Sequence, residues 1–404
     1  MNRWWMLWLL AGCLGVWLCG SPLALAQSTA LPGEATPDNV SLLREVVQGQ
    51  VERLNLRDVE RVIGSLEAEV QQNLPSLDIV TMIFQDGGNV DIDLRHLVGE
   101  LLRYFLREVV LNLRLLGQLL LLMVLCSCLE HLQVSGSRKA SGDLVIVVSF
   151  LVLLFLAVKS FQVTIEVARR TIDQMVAFMQ AVLPLMTALL AAAGGVSSAV
   201  VLHPVLLGAV VLVGTLVKNI VFPLALIAMV LAVVGNMAKD FPVGSLAGLV
   251  NKAAVVILGL LCTGFLGVLS VKGALAPVVD GVGLKTAKFL AGNFVPVIGG
   301  VFSGAVEVIA GGSVLIKGAI GAFGLVAVAI ICAFPLLKLA SVLLIYKIAA
   351  ALAHPMANQP LAAALDQMAS ALGVVLAAVV VTAVMFFVAI TVVISAGNMP
   401  LMMQ

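Results

Sequence analysis

Long apolar stretches recur through the sequence, and several match the roughly 20 residues that a helix needs to cross a membrane. Ala371–Ala396 runs for 26 residues without a charged side chain. Apolar types make up 61% of the 404 residues and charged types 11%, against about 45–50% and about 25% in soluble domains. These values exclude a soluble enzyme and a disordered chain. The net charge of +1 provides no field that would attract nucleic acid.

The pattern therefore predicts an all-α, polytopic helical membrane protein with a small N-terminal helical extracytoplasmic domain. We divide the chain into a signal peptide at 1–26, an acidic helical extracytoplasmic region at 27–108 and a multi-span membrane domain at 109–404. The membrane lipid bilayer is the first partner that this division implies.

The first 26 residues have the layout of a secretory signal peptide. Arg3 precedes the apolar stretch Trp4–Leu18, and Ala24-Leu25-Ala26 forms a small-x-small cleavage site. Two alternatives stay open: an uncleaved anchor helix, and lipoprotein processing at Cys13, which ends a lipobox-like run.

We predict that the mature protein begins at Gln27, because cleavage after Ala26 satisfies the small-residue rule. Mass spectrometry of the N-terminal peptide checks this prediction. An intact Met1, or a lipid on Cys13, would contradict it.

The region 27–108 holds 14 of the 22 acidic residues and 7 arginines but no lysine. Asn55 is a suitable N-cap for an amphipathic helix of about five turns that ends at Pro75. A second periodic stretch begins near Asp93 and runs toward the first apolar span without a helix breaker. Two interpretations stay open: a small domain that packs on itself or on the membrane surface, and a docking surface for a partner.

The membrane domain alternates apolar segments with polar ones. Arg138 and Lys139 form a polar loop that we expect to face the cytoplasm. Thr164–Gln180 carries one apolar stripe opposite charged pairs, which predicts a helix lying at the membrane interface. The predicted apolar segments are Leu115–Leu132, Leu144–Val158, Ala181–Leu202 closed by His203-Pro204, Val205–Gly235, Ala253–Val271, Asn293–Gly312, Ala319–Leu337, Leu339–Leu352 and Ala371–Ala396.

Lys218 lies inside the 31-residue segment Val205–Gly235, which would be about 46 Å long as one helix. A single tilted helix would place the lysine deep in lipid at a cost of several kcal/mol. We therefore favour a hairpin of two short spans over one long helix.

The glycine-rich segment 293–324 is predicted to be re-entrant and to line an aqueous path. Pro296, Gly299 and the Gly311-Gly312 pair suit irregular backbone, which is tolerated at membrane depth only where protein or water satisfies it. Glu307 and Lys317 are its charged residues. Either a hairpin that turns at Gly311-Gly312 pairs them, or at least one of them faces a water-filled conduit.

The sequence has no Walker A, H-E-x-x-H, G-x-S-x-G or dinucleotide-binding motif. We therefore expect no enzymatic activity, no catalytic residue, no cofactor and no metal site. Two functions stay open from composition: a subunit of a membrane channel, and a self-sufficient secondary transporter or permease of small molecules.

The stretch 280–355 carries ordered motifs. They are DGVGLKTAKF at 280–289, FVPVIGG at 294–300, FPLLK at 334–338 and YKIAAA at 346–351, and their marked positions are Asp280, Gly281, Lys285, Lys288, Pro296, Gly299, Pro335 and Lys338. The order of these motifs, with the signal peptide and short acidic ectodomain before them, closely resembles the stage III sporulation protein AE family.

That resemblance implies an integral membrane subunit of the channel between mother cell and forespore during endospore formation. It implies a location in the mother-cell cytoplasmic membrane, which becomes the outer forespore membrane after engulfment. The implied partners are other proteins of the stage III sporulation A operon, including ring-forming subunits and a secretion-type ATPase, and stage II sporulation protein Q across the intermembrane space. No nucleic acid is implied.

Overall fold

The structure is a computed structural model that describes residues 57–65, 94–134, 139–237, 243–294, 299–354 and 359–396. The signal peptide with its Ala26–Gln27 cleavage site, Arg138 and Pro296 lie outside these ranges, so the predictions on them stay predictions. The described residues form α1 (Arg57–Gly64), α2 (Leu94–Val134), α3 (Lys139–Ala192), α4 (Val196–Leu216), a π-helical turn (Val217–Val221), α5 (Phe222–Met237), α6 (Val243–Phe294), α7 (Gly299–Ala353) and α8 (Gln359–Ala396).

Six of the helical stretches are long and apolar enough to cross a membrane. The chain is therefore an all-α polytopic membrane protein, as the sequence predicts. The candidate spans are Leu101–Leu125, Val158–Ala192, Val196–Asn236, Ser245–Val271, Gly312–Ala353 and Leu361–Ala396.

The last two helices, α7 and α8, pair as an antiparallel hairpin. In α7 and α8, Lys317 lies against Ile394 and Lys347 against Asp366, so the two helices run in opposite directions. The centre of the bundle consists of α7 and α8, which pack against each other and against α3. Small residues such as Gly321 and Gly324 let these helices approach closely. Close packing is important here because lipid supplies no hydrophobic force that would hold membrane helices together.

The predicted span Ala181–Leu202 is interrupted at Gly194-Gly195. Gly194 has a φ of 97°, and the Gly195 amide donates to the Leu190 carbonyl at 2.9 Å. These are the marks of a Schellman motif, which ends a helix where glycine adopts the left-handed conformation. The His203-Pro204 pair, predicted to close the span, instead lies inside α4.

The predicted hairpin within Val205–Gly235 is wrong. One helical stretch of 41 residues, Val196–Asn236, runs from α4 through the π-helical turn into α5. It is about 62 Å long, roughly twice the hydrocarbon thickness of a bilayer. Lys218 lies within the π-helical turn. Its charge is compensated by Asp173 of α3, so no hairpin is needed to keep the lysine out of lipid.

The predicted interfacial helix Thr164–Gln180 is the middle of α3, and its apolar stripe faces protein. Ile165 is 9% exposed, and Ala168, Ile172 and Met175 are fully buried. An amphipathic pattern shows only which face avoids water. Here that face packs within the bundle.

The predicted hairpin at Gly311-Gly312 is also wrong, because α7 is helical from Gly299 through both glycines to Ala353. Pro335 lies inside the same helix and does not separate Ala319–Leu337 from Leu339–Leu352. Gly312 and Pro335 are buried within the bundle, and packing by neighbouring helices lets a membrane helix tolerate glycine and proline. The placement of 293–324 relative to the membrane stays a prediction.

The apolar stripe of the first amphipathic helix is confirmed within α1. Val59 is 2% exposed, and Val62 and Ile63 pack against the same core. The helix contacts α3, so this part of the N-terminal region packs on the chain's own bundle. The second periodic stretch forms α2, which continues into the first span without a break.

Candidate functional site: charged groups between the helices

Several buried threonine hydroxyls in the described helices donate hydrogen bonds to carbonyls of their own helix. Thr171, Thr187 and Thr382 each donate to the carbonyl four residues earlier, at 2.8–2.9 Å. Such bonds are the usual arrangement for serine and threonine in membrane helices and need no ligand. The charged side chains between the helices are therefore the groups that can carry function.

Lys317 is fully buried in α7, and its Nζ donates to the Ile394 carbonyl oxygen at 2.9 Å. Ile394 lies in the last turn of α8, where carbonyls have no partner within the helix. The lysine thus caps the negative end of α8. Glu307 is about 15 Å away along the same helix, so the predicted Glu307–Lys317 pair within a hairpin does not form. The Glu307 side chain lies outside the described residues.

Lys218 pairs with Asp173 of α3. The Lys218 carbonyl, in the π-helical turn, also accepts a hydrogen bond from the Arg169 guanidinium at 3.3 Å. A π-helical turn shifts the backbone hydrogen-bonding pattern, and such turns frequently occur at functional sites. Side chains on α3 therefore compensate both the charge and the altered backbone at this level of the bundle.

Lys347 of α7 and Asp366 of α8 form a further pair, with 2.5 Å between Nζ and Oδ1. Sequence reasoning missed it. The signal was available: Lys347 lies six residues before the end of α7, and Asp366 lies seven residues after the start of α8. An antiparallel hairpin brings such positions together.

A cleft of about 250 Å³ lies between α2, α3 and α7. Glu108 of α2 and Lys338 of α7 both line it. Asn112 lies between these helices, where its amide donates to the Glu108 carbonyl at 2.8 Å and to the Ser341 hydroxyl at 3.1 Å. Sequence reasoning marked Lys338 but missed Glu108, because Glu108 reads as one more charge on the polar face of α2.

The positions marked by the sequence motifs divide into two groups. Pro335 and Lys338 lie in the C-terminal half of α7, and Lys338 lines the cleft. Asp280, Gly281, Lys285 and Lys288 lie on α6 and Gly299 begins α7, but their side chains lie outside the described residues.

We predict that the Lys218–Asp173 pair stabilises the fold more than an exposed pair does. Their side chains are 27% and 57% exposed, and they join two helices. A double-mutant cycle with Lys218→Met and Asp173→Asn should give a coupling energy of about 1 kcal/mol, since an exposed i, i+4 pair gives about 0.3–0.5 kcal/mol.

Equilibrium unfolding of the purified protein in mixed detergent micelles measures this coupling. The matched control is the Glu166–Arg170 pair, which lies within α3 and is 57% and 67% exposed. Equal coupling energies for the two pairs would show that Lys218 and Asp173 behave as ordinary surface charges.

Comparison with known proteins gives a consistent result. The family model described as Stage III sporulation protein AE matches residues 77–397. The chain is also 34% identical over 371 residues to Stage III sporulation protein AE of Bacillus subtilis (strain 168), which covers 92% of this chain and 93% of that protein. No solved structure matches the chain.

Proposed function

This chain belongs to the stage III sporulation protein AE family, and from that premise we propose that it is an integral membrane subunit of the channel between mother cell and forespore. The chain is a multi-pass membrane protein of sporulation. The observation that carries the proposal is the extent of the family match, which spans all six candidate membrane helices.

The proposed location is the mother-cell cytoplasmic membrane, which becomes the outer forespore membrane after engulfment. The proposed partners are the ring-forming subunits and the secretion-type ATPase of the same operon, and stage II sporulation protein Q across the intermembrane space. The helical bundle would contribute the membrane part of such an assembly. We assign it no enzymatic step.

A secondary transporter is the alternative, and one observation favours it. The cleft that Glu108 and Lys338 line could hold a small solute between the helices. Uptake of solutes by proteoliposomes containing only this protein would support a self-sufficient transporter over a channel subunit.

The proposed location can be tested in sporulating cells of the native host with a fluorescent fusion to the C-terminus. We expect fluorescence only in the mother cell, after asymmetric division, and concentrated where its membrane surrounds the forespore. A soluble mother-cell reporter is the control for timing. Even fluorescence in vegetative cells would contradict the proposal.

A further inference from the structure

We propose that the cleft between α2, α3 and α7 binds a zwitterionic group, with Glu108 holding its cation and Lys338 its anion. The ligand chemistry is a primary ammonium and an anionic group a few bonds apart. Such a group belongs either to the headgroup of phosphatidylethanolamine or to a free amino acid. The inference does not depend on the channel proposal.

The contacts between α2 and α7 place the two charges at one height in the bundle. Tyr104 packs edge-on against Phe334, with ring centroids 5.0 Å apart, and Asn112 donates to Ser341. These contacts advance along both helices in the same direction, so the helices run parallel. Glu108 is midway between its two contact residues, and Lys338 occupies the corresponding place on α7.

Glu108 is only 8% exposed, and Lys338 is partly buried. Within the described part of the chain, no ion pair joins either of them to a partner, although both line the same cleft. The Asn112 bond to residue 108 uses the backbone carbonyl and not the carboxylate. Two opposite charges that line one cleft and have no ion-pair partner among the described residues favour a ligand that contacts both of them.

The opposite signs select the ligand class. A simple anion attracted to Lys338 would be repelled by Glu108, and a simple cation attracted to Glu108 would be repelled by Lys338. A zwitterion satisfies both charges at once. A primary ammonium also donates hydrogen bonds to the carboxylate, which the quaternary ammonium of choline cannot do.

The rest of the lining suits the alkyl part of such a ligand. Leu111 and Val163 line the cleft and are 61% and 60% exposed, so an apolar rim opens to the outside of the bundle. Val167, Leu339 and Val342 line the cleft as well. A lipid headgroup could therefore enter from the side while its acyl chains lie along the surface of α2 and α3.

The test measures the thermal unfolding midpoint of the purified full chain in detergent with added probes. Phosphatidylethanolamine, its N-methylated series ending in phosphatidylcholine, and L-leucine are the probes. A ligand that binds the folded state raises the midpoint. If a lipid headgroup is the source, the rise should shrink with each N-methyl group, and leucine should have no effect. If a free amino acid is the source, leucine alone should raise the midpoint.

Glu108→Gln and Lys338→Met should each weaken the apparent affinity about tenfold or more, because each removes a charge-assisted hydrogen bond. Arg170→Gln removes an exposed charge on α3 and should leave the affinity unchanged. The methylation series uses the unaltered protein, so it remains decisive if a variant does not fold. No midpoint shift with any probe would mean that the cleft binds none of them, and equal shifts in all variants would mean that the probes bind elsewhere. Either result would overturn the proposal.

Discussion

Lys317→Glu is expected to abolish folding of the protein in the membrane. The side chain is fully buried and directed at the Ile394 carbonyl, so a carboxylate there would face the negative end of α8. An uncompensated buried charge costs about 3–5 kcal/mol, which is a large part of the stability of an ordinary domain. The recovery of monodisperse protein from detergent extracts measures the effect, and we expect almost none.

Lys317→Met is the matched control. Methionine nearly fills the same volume without a charge, although it leaves the Ile394 carbonyl without its donor, which costs about 1–3 kcal/mol. We expect reduced but recoverable protein. If Lys317→Glu folds as well as Lys317→Met, the side chain reaches water, and the sequence-based prediction of an aqueous path beside Lys317 would be correct.

Gly321→Val should produce the second large loss of stability, because α7 meets α3 and α8 at this glycine. A Cβ at position 321 would lie 2.5 Å from both Cγ1 and Cδ1 of Ile394 and 3.1 Å from Met186 Cε. Real Cβ atoms do not approach other atoms so closely, so the Ile394 side chain must move or the helices must separate. Overpacking a close contact costs about 1–3 kcal/mol, and valine adds two methyl groups beyond the Cβ. The midpoint of detergent unfolding should fall accordingly.

Gly318→Val provides the control one helical turn earlier, where a Cβ would meet no atom within 4 Å. The two variants make the same change of side chain in the same helix, so their difference isolates packing from helix propensity. We expect Gly318→Val to leave the midpoint nearly unchanged. Equal losses in both variants would show that α7 and α8 are not in close contact at Gly321.

The sequence predicts the class of fold well because apolar length is a local property. A run such as Ala371–Ala396 needs no knowledge of its neighbours to be identified as a membrane helix. The apolar stripe that begins at Val59 can be predicted in the same way, since helical periodicity shows which face of the helix is buried. In both cases the information lies within one helix.

The internal boundaries could not be predicted in the same way, because they depend on contacts distant in sequence. Lys218 favours a hairpin only if its charge has no partner. Its partner, Asp173, lies 45 residues earlier on another helix, where the sequence alone does not show the pairing. Gly194-Gly195 and Gly311-Gly312 look alike in sequence, yet the first pair ends a helix and the second lies within one. Packing of the surrounding helices decides between these outcomes.

The same distinction between local and distant information applies to the candidate site. Lys338 could be marked from its motif, but its relation to Glu108 requires the parallel packing of α2 and α7. The two residues are separated by more than half of the chain, and no periodicity connects them. The cleft therefore becomes visible only when the helices are assembled.

Co-isolation from sporulating cells tests the channel proposal most directly. The protein would carry an affinity tag, cells would be crosslinked after engulfment, and the recovered proteins would be quantified by mass spectrometry against a tagged, unrelated multi-pass protein of the mother cell. We predict enrichment of the ring-forming proteins of the stage III sporulation A operon together with stage II sporulation protein Q. Recovery of the tagged chain without any of them, from cells in which all are present, would contradict the proposal.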